Sequence, residues 1–240
     1  MTSARTVLVT GGAGGIGRAI AAAFAALGDT VVLADVHGVE EAAATLGVRG
    51  VTVDITDEGS IARALDEVGR VDVLVNNAGI LSVHGRLLDL PPADMLRILQ
   101  TNVHGTFLVT QQVARRMVEA GVRGAVVNLS SIGGRQPTPG MGGYESSKAA
   151  VDALTRWAAV ELAENGIRVN AVAPGPVLTP MLAAGLPEGS PARQAWESRI
   201  PLRQLAAVEQ VAAAVVFLAG DSAAHITGTS LPVDGGQLLT

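Results

Sequence analysis

Cysteine is absent from the 240 residues, which excludes disulfides, thiolate catalysis and thiolate-held metals and suits a reducing, cytoplasmic setting. Aromatic residues make up only 2%, so a core cannot rest on stacked rings and must be built from Val, Ala, Leu and Ile. Basic residues are outnumbered, with 17 Lys and Arg against 22 Asp and Glu for a formal charge of −5. No cluster of them could neutralise a row of phosphates, so no nucleic-acid partner is expected. No apolar run reaches the roughly eighteen residues that a membrane span needs, and no charged segment followed by an apolar stretch marks a secretory signal. The four histidines, His37, His84, His104 and His225, are scattered without metal-ligand spacing, and no metal site is expected.

What is present is an alternation of short apolar runs and longer helical patterns. Strands are expected at Thr6–Thr10, Thr30–Ala34, Gly50–Val53, Val71–Val75, Ala125–Leu129, Arg168–Ala173 and Ser230–Val233. Helical periodicity falls at 16–27, 40–46, 57–68, 93–120, 144–164 and 208–219. Such βαβ repetition with short connections predicts one α/β domain over residues 1–240, a doubly wound parallel sheet buried on both faces. After Pro174 the pattern loosens into an excursion over about 175–207, rich in proline and apolar residues. It leaves the carboxyl end of a strand, where open α/β sheets bind ligands.

The first strand runs into Thr10-Gly-Gly-Ala-Gly-Gly-Ile-Gly17, followed by an Ala-rich helix. Gly12, Gly14 and Gly17 fit the dinucleotide fingerprint, in which a tight turn, a close approach to pyrophosphate and close helix packing each exclude a Cβ. A nucleotide-triphosphatase loop is excluded because Arg18 and Ala19 stand where Lys and Ser or Thr are required. Asp35 closes the second strand, placed to accept hydrogen bonds from an adenosine ribose and to repel the extra phosphate of NADP. NAD is the cofactor expected.

Tyr144 and Lys148 are four residues apart at the start of a helical pattern, on one helix face. A phenol is a poor base near neutral pH, and a nearby ammonium favours its ionised form. Ser131 follows the apolar strand 125–129, and its hydroxyl could bond a substrate oxygen as charge develops there. Alone, the Tyr–Lys spacing, Asn76-Asn-Ala-Gly79 as a polar turn and Asn102 as a helix start all have structural readings.

Taken together and in order, Thr10-Gly-x-x-x-Gly-x-Gly17, Asn76-Asn-Ala-Gly79, Asn102, Ser131, Tyr144-x-x-x-Lys148 and Pro174-Gly175 resemble the short-chain dehydrogenase/reductase family over essentially the whole chain. The resemblance implies a Rossmann-type sheet of about seven strands with helices on both faces. It implies Tyr144 as acid/base, Lys148 on the nicotinamide ribose and lowering the Tyr144 pKa, Ser131 on the reacting oxygen and Asn102 supporting a water-mediated proton path. For the cofactor it implies Gly11, Gly14, Gly15, Ile16 and Gly17 at the pyrophosphate, Asp35 at the ribose and Asp54 and Ile55 at adenine. Asn77, Ala78 and Gly79 would lie beside the cofactor ribose, and Pro174, Val177 and Thr179 around the carboxamide. Gly14 and Val36 supply none of the basic charge common in NADP-dependent relatives. The resemblance further implies a homotetramer built on helices 93–120 and 144–164.

The expected reaction is hydride transfer between NAD and a small alcohol or ketone. Leu178, Met181, Leu182, Leu186, Trp196, Ile200 and Leu202 in the excursion lean toward an apolar secondary alcohol or cyclic ketone. A 3-oxoacyl-type reductase, a sugar or polyol dehydrogenase, an epimerase or dehydratase, and a non-catalytic NAD-binding interaction protein are the alternatives.

Overall fold

The computed structural model describes residues 4–81 and 84–240, with the Met181 side chain outside that description. The elements in order are β1 (Thr6–Thr10), α1 (Gly15–Ala26), β2 (Thr30–Asp35), α2 (Val39–Leu46), β3 (Arg49–Thr52), α3 (Glu58–Val68), β4 (Val73–Asn76) and α4 (Pro92–Leu99). Then come α5 (Thr106–Glu119), β5 (Ala125–Leu129), α6 (Gly142–Leu162), β6 (Arg168–Pro174), α7 (Pro180–Gly185), α8 (Pro191–Glu197), α9 (Val208–Ala219) and β7 (Ser230–Val233).

The seven strands form one sheet in the order β3-β2-β1-β4-β5-β6-β7. Every pairing is parallel. Alternation along each strand divides the core into two layers. Val7 and Val9 face the side of Ile20 and Phe24 on α1 and Val211 and Val215 on α9. Leu8 faces the opposite side with Ile61 and Leu65 on α3 and Val109, Val113 and Met117 on α5. Strands sandwiched this way must be apolar on both faces, and each Val, Leu or Phe so buried contributes about 1.5–3 kcal/mol.

The strand order reverses between β1 and β4, so the crossovers leaving those strands diverge and open a crevice at their carboxyl ends. The turns after β1, β2, β4, β5 and β6 all lie on that edge. The expected strands are all present, with β4 displaced to end on Asn76.

The single helix expected over 93–120 is interrupted. Between α4 and α5, Gln100–Gly105 winds as a π-helix. Asn102 therefore sits mid-helix rather than at a helix start, because the wider turn carries its side chain to the segment after β4. Such insertions recur at functional sites. The excursion after β6 is partly ordered as α7 and α8. Leu186, Ile200 and Leu205 form its own small core, with Leu178 and Leu182 packed against it. Leu186 and Ile200, expected as substrate lining, are thus spent on folding the excursion. Trp196 and Leu202 stay 40% and 67% exposed.

Candidate active site

The glycine turn is shaped by contacts that leave no room for side chains. A Cβ on Gly11, whose φ is +63°, would stand 2.7 Å from the Ala78 Cα. One on Gly17 would overlap the Gly11 carbonyl oxygen. Gly14 differs, because a Cβ there would meet only the Gly11 oxygen at 3.5 Å, so this side of the loop is open. The N–H groups of Gly15, Ile16 and Gly17 begin α1 without intrahelical acceptors or a side-chain cap. They form a positive helix end suited to a phosphate.

The segment after β4 is tied directly to this turn. The Thr10 hydroxyl accepts from the N–H groups of Asn77 and Ala78 at 3.1 and 3.2 Å. The Asn77 amide donates to the carbonyls of Thr10 and Gly11 at 3.2 and 2.8 Å.

Asp35 ends β2 beside the same loop, where its carboxylate accepts from Ala13 N–H at 3.0 Å and Val36 N–H at 2.8 Å. Asp54 follows β3 and caps its own turn through Thr56. The Ile55 side chain does not face the crevice. It is buried against Gly105 of the π-helix, where a Cβ would come within 2.7 Å of the Ile55 Cδ1. Beyond β6, Val177 bridges to Ala206, and Thr179 caps α7 by accepting from Leu182 N–H at 3.3 Å. A Cβ on Gly15 would lie 2.9 Å from the Pro180 Cδ, so the start of α7 rests on the first turn of α1.

Four polar side chains converge on the adjoining edge. Lys148, buried on α6, donates from Nζ to the Leu129 carbonyl at 2.7 Å and lies 5.6 Å from the centroid of the Tyr144 ring. The Ser131 hydroxyl faces the Tyr144 phenol closely enough to favour its ionised form. Asn102 accepts from Ile80 N–H at 2.8 Å and donates to Ile80 C=O and to the Ser147 hydroxyl, both at 3.0 Å. The Ser147 hydroxyl in turn donates to the Tyr144 carbonyl at 2.6 Å. Asn102 is thus a clamp joining the turn after β4 to α6. Gly79 lies between, where a Cβ would stand 3.1 Å from the Asn102 Oδ1 and 3.6 Å from the Lys148 Nζ.

Burial moves the two titrating groups apart. Desolvation raises the Tyr144 phenol above its ordinary 10; Ser131 opposes this and the charge of Glu145 adds to it. Lys148 is pushed down to about 8 by desolvation, with Asp152 opposing. Lys148 was expected to lower the phenol; in the protein alone loss of water around the ring dominates, and Ser131, not Lys148, is the group that opposes it. Opposed displacement of two neighbouring groups is a mark of acid–base chemistry.

Several polar residues of the site were missed from the sequence. Asn76 donates to the Thr110 hydroxyl and the Asn128 side-chain oxygen at 2.8 and 2.9 Å, and Asn128 donates to the Thr155 hydroxyl at 2.9 Å. This buried chain stiffens the edge under Ser131. Its available signal was an Asn in each of two neighbouring strands otherwise apolar. Glu145, buried on α6, accepts from Thr138 N–H at 2.7 Å. Among the described residues no group of three or more His, Cys, Asp or Glu side chains could hold a metal ion, and no helix is long and apolar enough to cross a membrane. An apolar groove lies elsewhere, on the outer face of α5 and α6 around Phe107, Ala114, Leu154 and Trp157. It contains none of the four converging residues and reads as a surface rather than a reaction site.

A doubly wound sheet with a glycine turn at its switch point and a Tyr–Lys–Ser set on the adjoining edge defines a dinucleotide-binding oxidoreductase. Residues 11–237 match the family described as enoyl-(acyl carrier protein) reductase. The chain is 43% identical over 242 residues to cis-4-hydroxycyclohexanecarboxylate dehydrogenase of Sinomonas cyclohexanicum, spanning 97% of this chain and 96% of that one. It is 39% identical over 246 residues to the 3-oxoacyl-(acyl-carrier-protein) reductase FabG of Thermotoga maritima, with 98% of each covered. A solved structure of a short-chain dehydrogenase/reductase family protein superposes with a TM-score of 0.87 at 39% identity, again with 98% of each chain covered. The chain belongs to the short-chain dehydrogenase/reductase family, and it is an oxidoreductase of alcohol and ketone groups.

Proposed function

We propose that the protein interconverts a small, apolar secondary alcohol and its ketone with NAD(H), using Tyr144 as the proton-transfer residue. The observation that carries this reading is the convergence of the Tyr144 phenol, the Ser131 hydroxyl and the Lys148 ammonium beside an open, positively polarised glycine turn.

The residues present fit a dinucleotide. Gly14 leaves open space where a phosphate would approach, and Gly11, Gly15, Ile16 and Gly17 would hold the pyrophosphate through backbone N–H groups. Asp35 would hold the adenosine ribose, since each carboxylate oxygen has lone pairs beyond those used by Ala13 and Val36. Asp54 and the backbone of Ile55 would border adenine. Asn77, Ala78 and Gly79, with Lys148, would border the nicotinamide ribose, and Pro174, Val177 and Thr179 the carboxamide. Bound nicotinamide supplies the hydride acceptor or donor.

The protein's own part is positioning and proton transfer. Ser131 orients the substrate oxygen and stabilises charge developing on it. In reduction Tyr144, a phenol that is protonated at neutral pH and made more so by burial, gives its proton to that oxygen. In oxidation it must first lose the proton, so the rate rises with pH. Lys148 places positive charge beside the phenol once ligands replace the missing water. Asn102 holds Gly79 and Ile80 in place and would support a proton path through water.

Tyr144→Phe is expected to lower kcat at least 100-fold, the usual scale of general acid–base catalysis, while NAD affinity changes little. NADH absorbance with a panel of secondary alcohols measures the first and fluorescence titration the second. Retained turnover would overturn the reading. Parallel runs with NADP test the preference assigned to Asp35.

A 3-oxoacyl reductase activity is the second reading, favoured by the 39% identity to that reductase, and a 3-oxoacyl thioester in the same panel decides it. The same proposal takes residues 1–240 as one domain, with the 175–207 excursion covering the substrate. Lack of cysteine supports a cytoplasmic setting. Self-association, as a homotetramer, is supported by Leu96, Trp157 and Val160 on α4 and α6, which are 65%, 52% and 79% exposed in the single chain.

A further inference from the structure

Glu145 is the unusual member of the Tyr144–Lys148 turn. The residue is buried, with 8% of its surface exposed, and has no place in the roles assigned so far. It accepts from Thr138 N–H at 2.7 Å. Its methylene packs against Gly133, where a Cβ would stand 3.1 Å from the Glu145 Cγ. The segment that it holds begins at Ser131, whose own hydroxyl accepts from Gly133 N–H at 3.1 Å. One side chain thus holds the loop that presents Ser131 at two places, through its carboxylate at Thr138 and its methylene at Gly133.

We propose that Glu145 is a positioning residue of the reaction, which pins the Ser131 loop to α6 and places a negative charge beside the Tyr144 phenol. The inference rests on the reading of Tyr144 as the proton-transfer residue. Tyr144 and Glu145 are neighbours on one helical turn, and the bond to Thr138 fixes where the Glu145 charge sits. On α6 the ionisable neighbours of Tyr144 are Glu145, the next residue along, and Lys148 against its ring, with Asp152 a turn further along. From the loop after β5 the phenol is faced by the Ser131 hydroxyl, beyond which Arg135 pairs with Asp152 at 3.6 Å. The turn after β4 and the π-helix bring Gly79 and Asn102, both uncharged. The exposed His84 reaches Met141, at the N-terminus of α6, with 3.0 Å between its Nδ1 and the sulfur.

A negative charge opposes ionisation of the phenol, and Glu145 acts in that sense on Tyr144. Its consequence is functional. The phenol keeps its proton to higher pH, which favours donation to a ketone over abstraction from an alcohol.

Glu145→Gln separates the two roles, because its amide oxygen can still accept from Thr138 while the charge is gone. Glu145→Ala removes both. In the enzyme with NAD and an alcohol, the rising limb of kcat/KM against pH should move down by roughly one unit in E145Q. A shift of that order is what one neighbouring, partly screened charge produces at an effective dielectric near 20. KM should stay within about twofold in E145Q and rise about tenfold in E145A, with faster exchange of the Thr138 amide, as expected for loss of a charge-assisted hydrogen bond. Tyr144 is the only tyrosine, so near-ultraviolet tyrosinate absorbance reads its ionisation in the same variants without relying on turnover.

Coincident pH limbs and coincident tyrosinate curves for wild type and E145Q would overturn the charge role. Equal KM and equal exchange in E145A and E145Q would overturn the pinning role. Should Tyr144→Phe stay active while the tyrosinate curve still shifts in E145Q, the assignment of Tyr144 fails and the electrostatic coupling stands.

Discussion

Removing the buried ammonium should change how stability depends on pH, and Lys148→Met is the perturbation. Lys148 sits near 8 against an ordinary 10.5 because burial disfavours its charged form. Below about pH 8 folded and unfolded chains both carry the proton, and the folded state bears the full desolvation cost. Between about 8 and 10.5 the folded chain releases its proton first. The unfolded chain then binds more protons, and stability rises with pH. At about 1.4 kcal/mol per unit, the gain from about pH 7 to about pH 9.5 is about 2 kcal/mol. Lys148→Met loses this gain, so its urea-unfolding free energy in the cofactor-free protein should rise by about 2 kcal/mol less than wild type over that window. Near neutral pH the variant also escapes the desolvation cost, offset by loss of the bond to the Leu129 carbonyl. Tyr144 remains protonated in the folded chain throughout and cancels between the two proteins. Lys148 is the only lysine, so a lysine-labelled sample gives one side-chain resonance whose titration midpoint should fall near 8. Parallel stability curves, or a midpoint at 10.5, would refute the burial argument.

Asp35→Ala removes the acceptor of the Ala13 N–H along with the carboxylate proposed to repel a 2′-phosphate. The ratio of kcat/KM with NAD to that with NADP should fall at least tenfold, measured on one alcohol with both cofactors. Trp157→Glu places a charge on the exposed α4–α6 face, where Trp157 stacks on Phe107 with centroids 6.0 Å apart. Light scattering should show a smaller assembly than wild type, and an unchanged mass would exclude this face as a contact.

Much of the architecture was written locally. Apolar runs marked every strand, and the pattern over 208–219 matched α9 to the residue. Gly12 and Gly17 were legible because a tight turn packed between strand and helix leaves no room for a Cβ, whereas at Gly14 the space is left open. Tyr144, Lys148 and Ser131 were legible only as part of the ordered set of motifs, since the Tyr–Lys spacing alone also suits an ordinary helix face. The π-helical winding at 100–105 was not, since a 3.6-residue period hides one extra residue.

Sequence alone determined the order of strands and helices, the place of the crevice and the residue types gathered at it. These follow from short-range periodicity and from backbone positions that admit only glycine. Tertiary structure decided what the side chains face: Ile55 inward rather than toward the crevice, Leu186 and Ile200 in the core of the excursion, Asn102 as a clamp on Ile80 and Glu145 on Thr138. It also decided the ionisation of Tyr144 and Lys148. Desolvation depends on every atom that excludes water from a group, and those atoms come from segments far apart along the chain.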